Sequence, residues 1–129
     1  MFSANYAIRP DMEYTMSAQD ERLHVRAWGR DTPQMPQEAC HAILGEAKRL
    51  GLVRILVELT QKIALSGIAQ FQMADRMTAL GVTPHHRIAL VHHTPGLFEA
   101  TDLLELAAGN RGLNVKNFRS LEPALAWLG

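Results

Sequence analysis

The chain has one cysteine, Cys40, among its 129 residues. A single thiol cannot close an internal disulfide, so the sequence offers no covalent staple and fits a reducing compartment. Net charge is lacking too: thirteen basic and thirteen acidic residues cancel. Without an excess of either sign there is no electrostatic footprint for nucleic acid or an anionic membrane. Long apolar runs are also missing. No stretch approaches the roughly 20 residues needed to span a bilayer, and the first residues lack the basic-then-apolar order of a signal peptide. The sequence contains no repeat, low-complexity tract or linker, and neither HExxH, a Cys/His cluster nor a G-x-S-x-G elbow. The expectation is a soluble cytoplasmic protein, one domain over residues 1–129, with no metal, no cofactor and no nucleic-acid partner. That length buries a core unaided, and neutrality weakens colloidal repulsion, which favours a homodimer.

What is present is organised around residues 52–67, LVRILVELTQKIALSG. Val53, Ile55, Leu56, Val57 and Leu59 form an apolar run broken only by Arg54 and Glu58. The run has strand length and no polar alternation, so it reads as a central strand covered on both sides. In a parallel sheet, ligands and partners meet the crevice beyond the carboxyl ends of the strands. Glu58, Thr60, Lys62, Ser66 and Gly67 are therefore placed where function usually sits.

The rest of the pattern alternates strands and helices. Residues 1–10 carry no clear period and read as a lead-in. Met12, Tyr14 and Met16 alternate with polar residues, as do Leu23, Val25 and Ala27, and the short break between them predicts an antiparallel hairpin. Met35, Ala39, Ile43, Ala47 and Leu50 recur at helical spacing, with Gly51 at the left-handed stop. Ser66 is a good N-cap for a second helix with an apolar side of Ile68, Phe71, Met73, Met77 and Leu80. Residues 88–91 form another buried strand, ending in His92-His93. Thr94-Pro95 reads as an N-cap and first-turn proline for a helix through Leu97, Thr101, Leu104 and Ala108. Leu113, Val115 and Phe118 make a more polar edge strand, and Ser120 precedes a last helix over residues 121–128. The fold class is α/β: a four- to five-stranded, mostly parallel mixed sheet with a leading antiparallel hairpin and about four helices.

Three segments of this pattern resemble the SpoIIAA-like family of the STAS superfamily: GEAKRLGLVRILVEL at 45–59, HHRIALVHH at 85–93 and VKNFRSLEPALAWLG at 115–129. The resemblance covers nearly the whole chain from Met12 and implies a STAS-like bacterial domain. Anti-sigma-factor antagonists in that superfamily carry a D-x-S-G-like turn at the start of the second helix. Its serine is phosphorylated by a partner kinase that doubles as the anti-sigma factor. Ser66-Gly67 stands at the matching place, with Ala64 where the acidic residue is expected. The resemblance thus implies a kinase or anti-sigma-type regulator as protein partner. A lipid-carrier label also used in the family implies a carrier of a small apolar or lipid-like ligand.

Each candidate site has a plainer alternative. Phosphate on Ser66 gains from the helix dipole and free amides and adds nearly two charges to a docking face; the alternative is a plain cap. His92 or His93 with Glu58 makes an acid–base pair; the alternative is polar strand-end residues. Neither histidine pair can chelate one ion, because adjacent strand residues face opposite ways. Phe71, Met73, Met77, Leu97, Phe98 and Leu104 read as pocket lining or, more commonly for helix-spaced stripes, as core. Cys40 reads as a buried small hydrophobe. The reading that follows is a non-catalytic regulatory or binding module, switched at Ser66. The alternative is a carrier of a small apolar ligand, and last comes an enzyme using Glu58 and a histidine.

Overall fold

A computed structural model describes residues 3–9, 12–29, 37–60 and 66–129. Six strands, β1 (Ser3–Arg9), β2 (Met12–Gln19), β3 (Arg22–Gly29), β4 (Arg54–Leu59), β5 (Arg87–His92) and β6 (Asn114–Phe118), form one sheet in sequence order. The helices are α1 (Gln37–Leu50), α2 (Gly67–Ala79), α3 (Leu97–Ala100), α4 (Asp102–Asn110) and α5 (Leu121–Leu128). β1, β2 and β3 pair antiparallel, and every later pair is parallel. The α/β layout, the leading hairpin and the edge position of β6 agree with the sequence pattern. β1 is an addition: the expected lead-in is a strand on the outer side of β2. The residues themselves carry the strand period, Ala4, Tyr6 and Ile8 alternating with Ser3, Asn5 and Arg9, which the lead-in reading passes over.

Alternation along the strands sorts side chains onto two faces. Ile55, Val57 and Leu59 of β4 join Tyr14, Met16 and Val25 in a core that also takes in Ile43 of α1, Met77 of α2 and Leu104 of α4. Leu56, Ala89, Val91 and Phe118 point the other way and meet Ala124 and Leu128 of α5. The central strand is thus covered on both sides, as its unbroken apolar run requires.

Helix ends follow the local chemistry in most places. Gly51 has φ 68, Leu52 N–H reaches Ala47 O at 2.8 Å and Gly51 N–H reaches Lys48 O at 3.2 Å. That is the Schellman stop expected of a C′ glycine. The start of α1 at Gln37 leaves the expected position Met35 outside the described residues. Two expectations are corrected. The helix after β5 does not begin at Thr94-Pro95: Gly96, at φ 86, occupies the N-cap and Leu97 opens the helix. Nor does that helix run unbroken, because Thr101 adopts φ −108, ψ 14 and divides α3 from α4. Its hydroxyl bonds the carbonyls of Leu97 and Phe98, each at 3.0 Å, a local competitor to helical pairing. Ser120 holds the N-cap position of α5 with no side-chain cap bond.

No helix among the described residues is long and apolar enough to cross a membrane.

Candidate functional site at the carboxyl edge of the sheet

Glu58 lies on the α5 side of β4, opposite Arg26 of β3 and Val91 of β5. Its side chain is only 11% exposed. His93 Nε2 bonds Glu58 Oε1 at 2.9 Å, Arg26 Nε donates to Oε2 at 3.2 Å, and His24 Nε2 bonds that same Oε2. Burial pushes the Glu58 carboxyl up, but the bonds from His24, His93 and Arg26 outweigh it and hold the group below the usual carboxylate range. Glu58 is therefore ionised at neutral pH. An ionised carboxylate only accepts hydrogen bonds, so Nε2 of both histidines carries the proton. The arrangement fixes the tautomer and rotation of two imidazoles, which suits proton transfer and also ties three strands together.

His92 goes to the other face and is buried. Asn117 Nδ2 donates to Thr101 O at 2.9 Å, so Asn117 Oδ1 is the acceptor for His92 Nε2–H, 2.9 Å away. Thr101 Oγ1 lies 3.2 Å from the same nitrogen. Burial lowers the His92 pKa, the Asn117 bond opposes this, and the charge of His93 lowers it further; the net direction is down. Gln70 completes the node. Its Nε2 donates to Ala100 O at 2.9 Å and its Oε1 accepts from Leu104 N–H at 2.8 Å. These bonds pin the chain on both sides of the Thr101 break. No buried side-chain polar atom among the described residues lacks a partner.

The third feature is the start of α2. Ser66 is exposed, and its Oγ accepts from Ala69 N–H at 3.1 Å, the expected N-cap. Gly67 opens the helix against α4: a side-chain carbon there would lie 3.3 Å from Leu103 Cδ1. Beyond the cap, Ile68 is 73% exposed and Phe71 43%. Both were expected on the apolar inner side of α2. Of that expected side Met77 is buried and Met73 packs against the core, and Gln70 and Ala74 complete the buried side, because the helix is rotated to bring Gln70 onto the Thr101 break. Leu103 and Leu106 of α4 are also exposed. The two adjoining helices therefore present apolar side chains to solvent beside Ser66.

Of the sequence-derived site residues, Glu58 and His93 come together, His92 turns away, and Ser66 and Gly67 share the α2 start. Thr60 is exposed and continues the sheet, its N–H bonding Ala27 O at 3.1 Å. Lys62 lies outside the described residues. The expected pocket lining divides: Met77 and Leu104 belong to the core, Phe71 is exposed, and the Phe98 ring lies under Arg119, 4.4 Å from the guanidinium. Cys40 is buried, and burial pushes its thiol up to about 11 against the opposing charge of Arg76, which favours the protonated thiol at neutral pH. His24 and Arg26, missed as site residues, alternate outward along a strand of inward apolar positions. Their role depends on β3 lying beside β4, which periodicity alone does not specify. Among the described residues no group of three or more His, Cys, Asp or Glu is arranged to hold a metal ion. No protein-family model and no curated protein sequence matches the chain.

Proposed function

We propose that this protein is a non-catalytic, STAS-like regulatory module that docks another protein through the start of α2 and the adjoining side of α4, and that charge at Ser66 switches the docking. The observation that carries the reading is the exposure of Ile68 at 73% and Phe71 at 43% next to an exposed Ser66 at a helix N-terminus. Apolar side chains left in water on two adjacent helices favour a partner that covers them. A phosphate on Ser66 would find the positive end of the α2 dipole and change the charge of that face by nearly two units. A kinase or anti-sigma-type regulator is the class of partner that the family resemblance suggests. The cytoplasmic location and homodimer belong to the same reading.

The test compares partner capture by the wild type, Ser66→Ala and Ser66→Asp, with a photo-crosslinker at position 68. The same protein should be captured by the first two and lost by the third. Phosphopeptide mapping of protein isolated from its native cells should place phosphate on Ser66. Equal capture by all three forms would sink the switch.

A further inference from the structure

At the opposite, amino edge of the sheet, three arginines lie in one row. Arg54 of β4 is directly opposite Arg87 of β5. Arg22 of β3 precedes Leu23, which pairs with Ile55, so it stands beside Arg54. All three alternate onto the α5 face with Leu56 and Ala89. Like charges placed directly opposite across strands are destabilising, and the side-chain counter-charges that pair with them are weak. Asp20 is 3.6 Å from Arg22 and Glu21 is 4.0 Å from Arg54, with these carboxylates 82% and 89% exposed. Carboxylates this exposed contribute little to such pairs. Arg87 Nη1 donates to Trp127 O at 3.1 Å, one of its five N–H donors. The Arg54 guanidinium makes no hydrogen bond among the described residues.

Two of these groups converge. A side-chain carbon at Gly129 would lie 3.8 Å from Arg87 Nη1 and 3.9 Å from Arg54 Nη2. The two nitrogens are therefore less than about 8 Å apart, a gap one phosphate group bridges with charge-assisted bonds of about 2.8 Å on each side. Guanidinium forks match the oxygens of such an anion and are weakly hydrated, so they bind it at low desolvation cost. We propose that Arg54 and Arg87, flanked by Arg22, form a binding site for a phosphate group at the amino edge of the sheet. It is independent of the docking face at α2.

The experiment titrates the full chain with inorganic pyrophosphate at low ionic strength, read by calorimetry and by the arginine Nε–H resonances. Saturable binding is expected, with the Arg54 and Arg87 signals shifting and those of Arg26 and Arg119 unmoved. Arg54→Gln/Arg87→Gln should bind at least tenfold more weakly. No saturable binding, shifts spread over all arginines, or unchanged affinity in the double variant would each overturn the site. The resonance shifts are read on the wild type, so the test stands even if the variant folds poorly. Two sources of phosphate are separated by phosphatidylcholine vesicles carrying phosphatidate. Cosedimentation that pyrophosphate competes away assigns a lipid headgroup, and pyrophosphate binding without cosedimentation assigns a soluble phosphorylated molecule.

Discussion

The two faces of the sheet solve the burial problem differently. One face is roofed by α1, α2 and α4 and, among the described residues, is apolar from Tyr14 of β2 to Val115 of β6 apart from the polar node at His92 and Asn117. The other is covered by α5 over β4, β5 and β6, and beside that cover His24 and Arg26 of β3 meet Glu58 at the carboxyl end of β4 instead of an apolar layer. Where a helix covers the sheet, burial supplies the stability and polar groups are tolerated only when fully paired. Where none does, a paired charge holds neighbouring strands together and leaves chemistry accessible. The face with the larger core is the structural one and buries a single histidine, His92, while the thinly covered face carries the Glu58 charge cluster.

That contrast sets an order of effects. Leu104→Ala, in the larger core, should cost about 2–5 kcal/mol in denaturant unfolding. Glu58→Gln keeps the side chain's shape and leaves neutral imidazoles, so it should cost less, about 1–3 kcal/mol, the range for a buried hydrogen-bonding group left unsatisfied. A loss at Glu58 as large as that at Leu104 would break the comparison. Ser66→Ala should cost about 1 kcal/mol through the lost cap. Ile68→Ser, at an exposed position, should fall within about 0.5 kcal/mol of wild type.

Acid titration separates the faces further. Glu58 is held below its ordinary 4.5 in the folded state, so its contribution is present above that pH and is lost as pH falls through the folded value. Glu58→Gln should remove that slope. His92 is also held below its ordinary 6.5. Below that pH the unfolded chain binds a proton that the fold resists, so stability falls as pH drops from 6.5. His92→Asn should flatten that part of the curve. Unfolding midpoints measured across pH for the three proteins check both slopes.

Several features were legible in the residues alone. The apolar run at 55–59, the alternation at 12–16 and 23–27, the glycine stop at Gly51 and the cap at Ser66 all follow from local backbone and burial chemistry. Glu58 was legible as a displayed acid because it interrupts an apolar strand. What the sequence did not disclose depends on neighbours. β1 is the exception, because Ala4, Tyr6 and Ile8 alternate with Ser3, Asn5 and Arg9 and its strand period stands in the residues. Ile68 and Phe71 fit a helical apolar stripe, yet α2 is turned so that Gln70 reaches the chain break at Thr101. That satisfies buried backbone groups and leaves the two large side chains in water.

The choice of histidine shows the same division. Sequence placed His92 and His93 at one strand end and, by alternation, on opposite faces. Only the order β3-β4-β5 and its register determine that His93 meets Glu58, that His24 joins it from the far strand, and that His92 is buried against Asn117. The arginine row has the same origin: Arg22, Arg54 and Arg87 are far apart in the chain and become neighbours through parallel pairing. Periodicity, caps and stops are properties of adjacent residues, so the sequence by itself determined the strands' inward faces and most helix ends. Charge clusters form between strands that pair across dozens of residues, so only the tertiary structure decided which side chains share a site.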